Sequence, residues 1–84
     1  MTTLGYVSAI TKDIKIGTSI MVLPWRNPVI VAKEAVTLDA LSGGRLILGV
    51  GVGHAPKEFE VVAVPMKQRG RRMDEYLDLM TKIW

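Results

Sequence analysis

Hydrophobic positions in the first part of the chain change their spacing once. Leu4, Val7 and Ile10 recur at helical intervals, which indicates the last turns of a helix. From Ile14 to Leu23 the apolar residues first alternate with polar ones and then follow one another without a break. That pattern is typical of a strand that runs into a buried sheet. We therefore expect a helix followed by a strand.

A second helix is marked by its start and its end. Asn27-Pro28 offers an N-cap with proline at the first helical position, and Ser42-Gly43-Gly44 offers a stop. Between these signals the exposed face is predicted to carry Lys33, Glu34 and Thr37. The opposing apolar face is predicted to include Val29, Ala32, Val36 and Ala40.

The rest of the chain predicts a second strand, a long loop and a closing helix. Leu46 to Val50 has no polar face, as expected of a parallel strand covered on both sides, and an irregular stretch follows from about Gly51 to Lys67. One side of the closing helix is marked by Met73, Tyr76, Leu77, Met80, Ile83 and Trp84. Two strands joined by a helix must run parallel with a right-handed crossover, so the fold class is α/β.

The composition excludes several kinds of site and partner but does not identify one. The chain has 84 residues and no cysteine, which argues against a disulfide framework or thiolate metal site and favours a cytoplasmic protein; no metal site is predicted. No apolar run is long enough for a membrane span. The net charge of +3 is modest, and the basic stretch from Lys67 to Arg72 adjoins acidic residues, so nucleic-acid binding is not favoured.

Two predicted strands are too few to form a complete sheet. Hydrophobic residues make up 49% of the chain, and two parallel strands that are apolar on both faces would leave edges and one face uncovered. Either further strands complete the sheet, or copies of the chain associate. We therefore expect a homo-oligomer, an aggregate or a partly disordered monomer rather than a well-packed monomer.

The strand exit Gly49-Val50-Gly51-Val52-Gly53-His54 is the strongest candidate for a binding site. Glycines there let the backbone approach a ligand, although a tight turn alone also requires them. A dinucleotide fingerprint fits poorly, because the third glycine comes one position early and Ala55-Pro56 follows. His54, the single histidine, could exchange protons near neutral pH or simply hydrogen-bond within the loop.

Five motifs follow one another along the chain: Ile16-Gly17-Thr18-Ser19-Ile20, Leu23-Pro24-Trp25-Arg26-Asn27-Pro28, Thr37-Leu38-Asp39-Ala40-Leu41-Ser42-Gly43-Gly44-Arg45-Leu46, Leu48-Gly49-Val50-Gly51-Val52-Gly53 and Arg69-Gly70-Arg71-Arg72-Met73-Asp74-Glu75-Tyr76. Together they resemble the luciferase-like monooxygenase family, most closely its branch that uses coenzyme F-420. The resemblance covers nearly the whole chain.

The resemblance implies a single domain over residues 1–84 that is part of a TIM (β/α)8 barrel. The chain would supply the third and fourth strands with their helices, preceded by the end of the second helix, or roughly a third of a barrel of about 250 residues. The implied activity is that of a flavin- or deazaflavin-dependent oxidoreductase or monooxygenase acting on a small organic substrate. The alternative is an inactive truncated α/β fragment that persists as a self-associating module.

The resemblance also implies the site residues. Ser19 and Ile20 would form a bulge with a non-prolyl cis peptide against the ring, where an ordinary strand is the alternative. The cofactor-binding residues would be Ser19, Ile20, Gly51, Val52 and Gly53, with His54 as the catalytic residue and coenzyme F-420 as the cofactor, or alternatively FMN.

Two positions depart from the family pattern. Relatives carry glutamate or a bulky apolar residue where this chain has His54, and luciferases carry a phosphate-binding arginine where it has Val52. The arginines Arg69, Arg71 and Arg72, before or in the first turn of the closing helix, either face an anion or pair with acids of adjacent loops.

Overall fold

A computed structural model describes all 84 residues, and its elements follow the predicted order of helices and strands. The helices are α1 (Thr2–Ile10), α2 (Pro28–Leu41), α3 (Pro56–Val61) and α4 (Arg69–Ile83). The strands are β1 (Ile16–Gly17), β2 (Met21–Val22), β3 (Leu46–Ile47) and β4 (Val50–Gly51). Short 3-10 turns cover Leu23–Trp25 and Met66–Gln68. The protein is a mixed α/β structure.

The strands pair in parallel, as the sequence predicts. Strand β1 pairs with β3 and β2 pairs with β4. The result is two short two-stranded parallel sheets that follow one another along the same two segments of the chain. The predicted first strand is nevertheless shorter and broken: it begins at Ile16 rather than Ile14 and is interrupted between Gly17 and Met21. The second is interrupted between Ile47 and Val50.

The stretch from Gly51 to Lys67, predicted as irregular, contains a short helix. Helix α3 begins at Pro56, with proline in the first turn, and it is only six residues long. Proline there is compatible with a helix because its missing N–H would have no intrahelical partner. Six residues are too few for hydrophobic spacing to reveal a helix, which explains the wrong prediction.

Helix α2 begins as predicted but buries a different face. The Asn27 side chain accepts hydrogen bonds from the backbone N–H groups of Val29 and Ile30 at 2.9 and 3.3 Å, which confirms the N-cap. Lys33, Glu34 and Thr37 are exposed as expected. The buried residues are Val31, Ala32, Ala35 and Leu38, whereas Val29, Val36 and Ala40 are exposed. Apolar residues surround most of this helix, so its spacing did not single out one face.

The core lies between the sheet, α2 and α4. Its buried cluster consists of Met21, Leu23, Val31, Ala32, Met73 and Met80, and the half-buried Tyr76, Leu77 and Ile83 pack against it. The predicted apolar side of the closing helix is thus confirmed. At its end the Trp84 indole N–H donates a 3.0 Å hydrogen bond to the Ala32 carbonyl, which ties α4 to α2.

A buried arginine joins the helix ends beneath the strands. Arg45 is 8% exposed, and its guanidinium donates to the carbonyl oxygens of Ser8, Thr11, Ile14 and Ser42 and to the Thr11 hydroxyl, at 2.6 to 3.2 Å. No carboxylate pairs with it. The carbonyls at the end of α1 carry partial negative charge, so they stabilise the cation in place of an acid.

Much apolar surface remains uncovered. Only 14 of the 84 residues are buried, and large apolar side chains are exposed on helices and strands alike, among them Tyr6, Ile10, Ile20, Leu41, Ile47 and Val61. This exposure agrees with the expectation that the two strands leave apolar surface uncovered. None of its helices has the length and apolarity needed to span a membrane.

Candidate functional site

The segment that contains β1 and β2 and the segment that contains β3 and β4 change their register at a bulge. Gly17 pairs with Ile47 and Met21 pairs with Val50, so the three residues 18–20 face only the two residues 48–49. One extra residue on one strand is the definition of a β-bulge, a feature frequent beside active sites. The peptide bond between Ser19 and Ile20, inside this bulge, is cis. The family resemblance had implied both features at this place.

Hydrogen bonds hold the bulge from both sides. The Thr18 N–H donates to the Ile47 carbonyl at 3.2 Å, and the Met21 N–H donates to the Gly49 carbonyl at 2.9 Å. The Thr18 hydroxyl adds a 2.6 Å hydrogen bond to the same Gly49 carbonyl. The bulge is therefore fixed at both ends, while Ser19 and Ile20 between them are exposed.

Two of the predicted binding residues lie against each other. Ile20 is 63% exposed, and a Cβ added to Gly51 would lie 3.0 Å from its Cγ2 atom. The side chain of the bulge thus rests over a glycine of the neighbouring strand. The result is an apolar surface at the carboxyl end of the sheet, with no side chain at Gly51 to cover it.

The glycine exit continues to His54. Gly53 has φ of +82°, a conformation that glycine adopts without cost. Val52 and His54 on either side of it are exposed. Ile20 and Gly51 are therefore in contact, and Val52, Gly53 and His54 follow directly along the chain from Gly51.

Sequence reasoning missed three residues that shape this site. Thr18 fixes the bulge, and Trp25 and Phe59 pack beside the glycine exit with ring centroids 5.6 Å apart. A threonine directly before the bulge was a visible signal for the first. Nothing in the local pattern marked the aromatic pair, because Phe59 lies on the short helix that was not predicted.

The arginines at the start of α4 have partners within the chain. Arg69 donates to the Met66 carbonyl at 3.2 Å, and Arg72 donates to the Tyr76 hydroxyl at 2.8 Å. Arg71 lies 3.8 Å from the Glu75 carboxylate. Only Arg71 has an acidic partner, and that acid lies on α4 itself, so the predicted pairing with acids of adjacent loops is not found within this chain.

The family is shown by a match that covers the whole chain. A sequence profile described as luciferase-like monooxygenase matches residues 1–84. The chain belongs to this family. Among solved structures, the monooxygenase RslO1 from Streptomyces bottropensis matches with a TM-score of 0.94 and 28% sequence identity, over 99% of this chain and 25% of that one.

Curated relatives of the family include enzymes of two kinds. The 4-hydroxyprotoasukamycin monooxygenase of Streptomyces nodosus subsp. asukaensis is 38% identical over 73 residues, which cover 87% of this chain and 20% of that protein. The F420-dependent glucose-6-phosphate dehydrogenase of Intrasporangium calvum is 40% identical over 80 residues, covering 88% of this chain and 24% of that protein. The chain spans about a quarter of the length of such relatives.

Proposed function

We propose that residues 1–84 form one domain segment, the third and fourth βα units of a luciferase-like (β/α)8 barrel. In that barrel they serve an oxidoreductase that acts on a small organic substrate with a deazaflavin or flavin cofactor. The parallel pairing of the strands and the match to a quarter of RslO1 support the placement. In barrels of this type the active site lies at the carboxyl ends of the strands.

The contact between Ile20 and Gly51 is the observation that carries the proposal. Ile20 lies within the bulge, directly before β2, and Gly51 is the last residue of β4. An exposed apolar side chain thus stands over a position without a Cβ near the strand exit. A flat tricyclic ring fits such a surface, because an apolar backstop favours a ring face and a glycine leaves room for it. Ser19, Val52 and Gly53 would complete this wall of the site.

The chemistry divides between the cofactor and the chain. When bound, a deazaflavin or flavin ring supplies hydride transfer, and a flavin can also activate dioxygen. The chain orients the ring through Ile20 and excludes water from one of its faces. His54 follows the glycine exit and is exposed, so its imidazole is free to hold or pass a proton to a group bound there.

Coenzyme F-420 is the cofactor we propose, with FMN as the alternative. Val52 stands where the luciferases carry the arginine that contacts the flavin phosphate, so this chain lacks that contact to FMN. One relative of 40% identity carries dependence on F420 in its name. Both observations favour the deazaflavin.

Binding of the two cofactors to the complete protein tests the proposal. We expect coenzyme F-420 to bind more tightly than FMN in a fluorescence titration, and Ile20→Ala to weaken that binding roughly tenfold through lost apolar contact. Ile14→Ala is the matched control, because Ile14 is similarly exposed, at 56%, and precedes β1, away from the bulge. Equal weakening by both substitutions would contradict the proposed seat of the ring.

The proton-transfer role of His54 needs its own variant. We expect His54→Gln to lower kcat while leaving the dissociation constant of the cofactor nearly unchanged, because the amide keeps the polarity but cannot shuttle a proton. The isolated 84-residue chain should bind either cofactor weakly or not at all, since it holds only one wall of the pocket. An unchanged kcat in His54→Gln would remove His54 from the mechanism.

The uncovered apolar surface supports a second proposal. If the chain exists alone, it is an inactive module that associates with copies of itself. Exposed Ile47 on the sheet and exposed Ile10 on α1 illustrate how much apolar surface a monomer leaves in water. This proposal and the first are compatible, because a segment can keep its fold without the missing walls of the site.

A further inference from the structure

The turn that carries His54 lies against the half-buried side chain of Val22 and the buried side chain of Phe59. A Cβ added to Gly53 would lie 2.8 Å from the Val22 Cγ1 atom and 3.1 Å from the Cε2 and Cζ atoms of Phe59. A side-chain carbon at this position would overlap with both neighbours, so the backbone of the turn lies close to these two side chains. Val22 belongs to β2 and Phe59 to α3, so the turn is held from the sheet and from the helix that follows it.

Phe59 in turn links the segments that follow both strands. It is 1% exposed, and its ring meets the Trp25 ring edge to face, with centroids 5.6 Å apart and planes at 79°. Trp25 ends the 3-10 turn after β2, and Phe59 lies in the helix after β4. One aromatic contact therefore joins the two loops that leave the carboxyl ends of the neighbouring strands.

We propose that Phe59 and Trp25 are positioning residues for this site. They hold the turn at Gly53 against Val22 and thereby fix where His54 stands relative to the contact between Ile20 and Gly51. The significance for catalysis rests on the proposed function, whereas the mechanical coupling of the aromatic pair to His54 does not. A group that moves a proton must be held within a few tenths of an ångström of its working place, and such support comes from packed neighbours.

Glycine makes this support necessary. With φ at +82° and no side chain of its own, Gly53 has wide conformational freedom in the absence of neighbours. The Phe59 ring removes that freedom by filling the space beside the glycine. Loss of the ring should therefore release the turn without unfolding the strands, because β4 remains paired with β2 through Gly51 and Val22.

His54 is the single histidine of this chain, and its ring resonances, assigned in the complete protein by their loss in His54→Gln, give a direct readout. We expect Phe59→Leu and Gly53→Ala to shift and broaden the His54 ring resonances in NMR spectra recorded without cofactor. Leu38→Ala is the control, because Leu38 is buried on α2, where it lines a groove against α1 away from the strand exit. It should lower stability and leave the His54 resonances in place.

Two substitutions at Trp25 separate positioning from general packing. The Trp25 indole N–H is buried and has no hydrogen-bond partner within this chain, so Trp25→Phe removes no hydrogen bond of the chain and keeps a ring against Phe59. We expect Trp25→Phe to leave the His54 resonances in place and Trp25→Ala to shift them as Phe59→Leu does. In turnover assays Phe59→Leu should lower kcat severalfold with little effect on the dissociation constant of the cofactor.

The outcomes distinguish the positioning role of Phe59 and Trp25 from the proposed catalytic role of His54. Unchanged His54 resonances in both Phe59→Leu and Trp25→Ala would overturn the positioning role, as would an equal shift in Leu38→Ala. If the resonances shift as expected but His54→Gln keeps full activity, the coupling stands and the proposed role of His54 in catalysis fails.

Discussion

The Thr18 hydroxyl donates a 2.6 Å hydrogen bond to the Gly49 carbonyl, at the point where the two parallel strands lose their register. This bond crosses the bulge and replaces a ladder contact that the extra residue removes. The same carbonyl accepts the Met21 N–H, so a single oxygen of one strand anchors the far side of the bulge on the other. The geometry of the candidate site depends on it.

Removing this hydroxyl should loosen the bulge. We expect Thr18→Val, which keeps the shape of the side chain, to lower the free energy of unfolding by about 1 kcal/mol because one partly buried hydrogen bond is lost. Thr18→Ser keeps the hydroxyl and should retain most of this free energy. Denaturant titration measures the change, and hydrogen exchange at the Met21 amide locates it. Thr37→Val on the exposed face of α2 is the control and should change little.

Alanine should have opposite effects at two glycines. A Cβ at Gly49 would overlap with the backbone carbonyl oxygen of Thr18, so we expect Gly49→Ala to destabilise the protein by about 2 kcal/mol or more. Gly5 lies within α1 with no atom near its Cβ position, and Gly5→Ala should stabilise by about 0.5–1 kcal/mol through helix propensity. Thermal unfolding of both variants checks the signs. A stable Gly49→Ala variant would contradict the close approach of the strands.

Arg45 should be among the least replaceable residues. Its guanidinium satisfies carbonyl oxygens from three segments, and Arg45→Met would leave those oxygens without donors. We expect a loss of roughly 3 kcal/mol, comparable to the whole stability of a core this small. Arg45→Lys should recover only part, because an ammonium has fewer donors in a different geometry. Circular dichroism follows the unfolding, and Lys33→Met on the surface of α2 is the control.

Association should depend on the uncovered sheet if the chain is studied alone. We expect sedimentation equilibrium to show oligomers at tens of micromolar and the unfolding midpoint to rise with protein concentration. Ile47→Lys should weaken association, because Ile47 is exposed on β3, whereas Ile10→Lys on α1 should have less effect. A monodisperse monomer with a transition independent of concentration would refute the expectation.

The sequence predicted the elements that have strong end signals. Asn27 and Pro28 marked the start of α2, and the apolar run from Leu46 marked a parallel strand, because caps and buried strands depend on few neighbouring residues. It did not predict which face α2 buries, since apolar residues surround that helix. Nor did it predict α3, whose six residues are held by the packing of Phe59 rather than by any periodic pattern.

The candidate site divides in the same way. The glycine exit and His54 are visible in the sequence because glycines cluster at one strand end. The position of the bulge came from the family resemblance, since the residues from Ile16 to Val22 alone read as an unbroken strand. Trp25 and Phe59 are 34 residues apart, and only the folded chain brings their rings together.

The buried arginine also constrains the order of folding. Arg45 reaches partners 31 to 37 residues earlier in the chain, at the end of α1 and before β1. During synthesis these carbonyl oxygens are hydrogen-bonded to water until the turn after α2, which carries Arg45, has been made. Closing a loop of this length has an entropic cost, so α1 should dock only after α2 and the turn that follows it have formed.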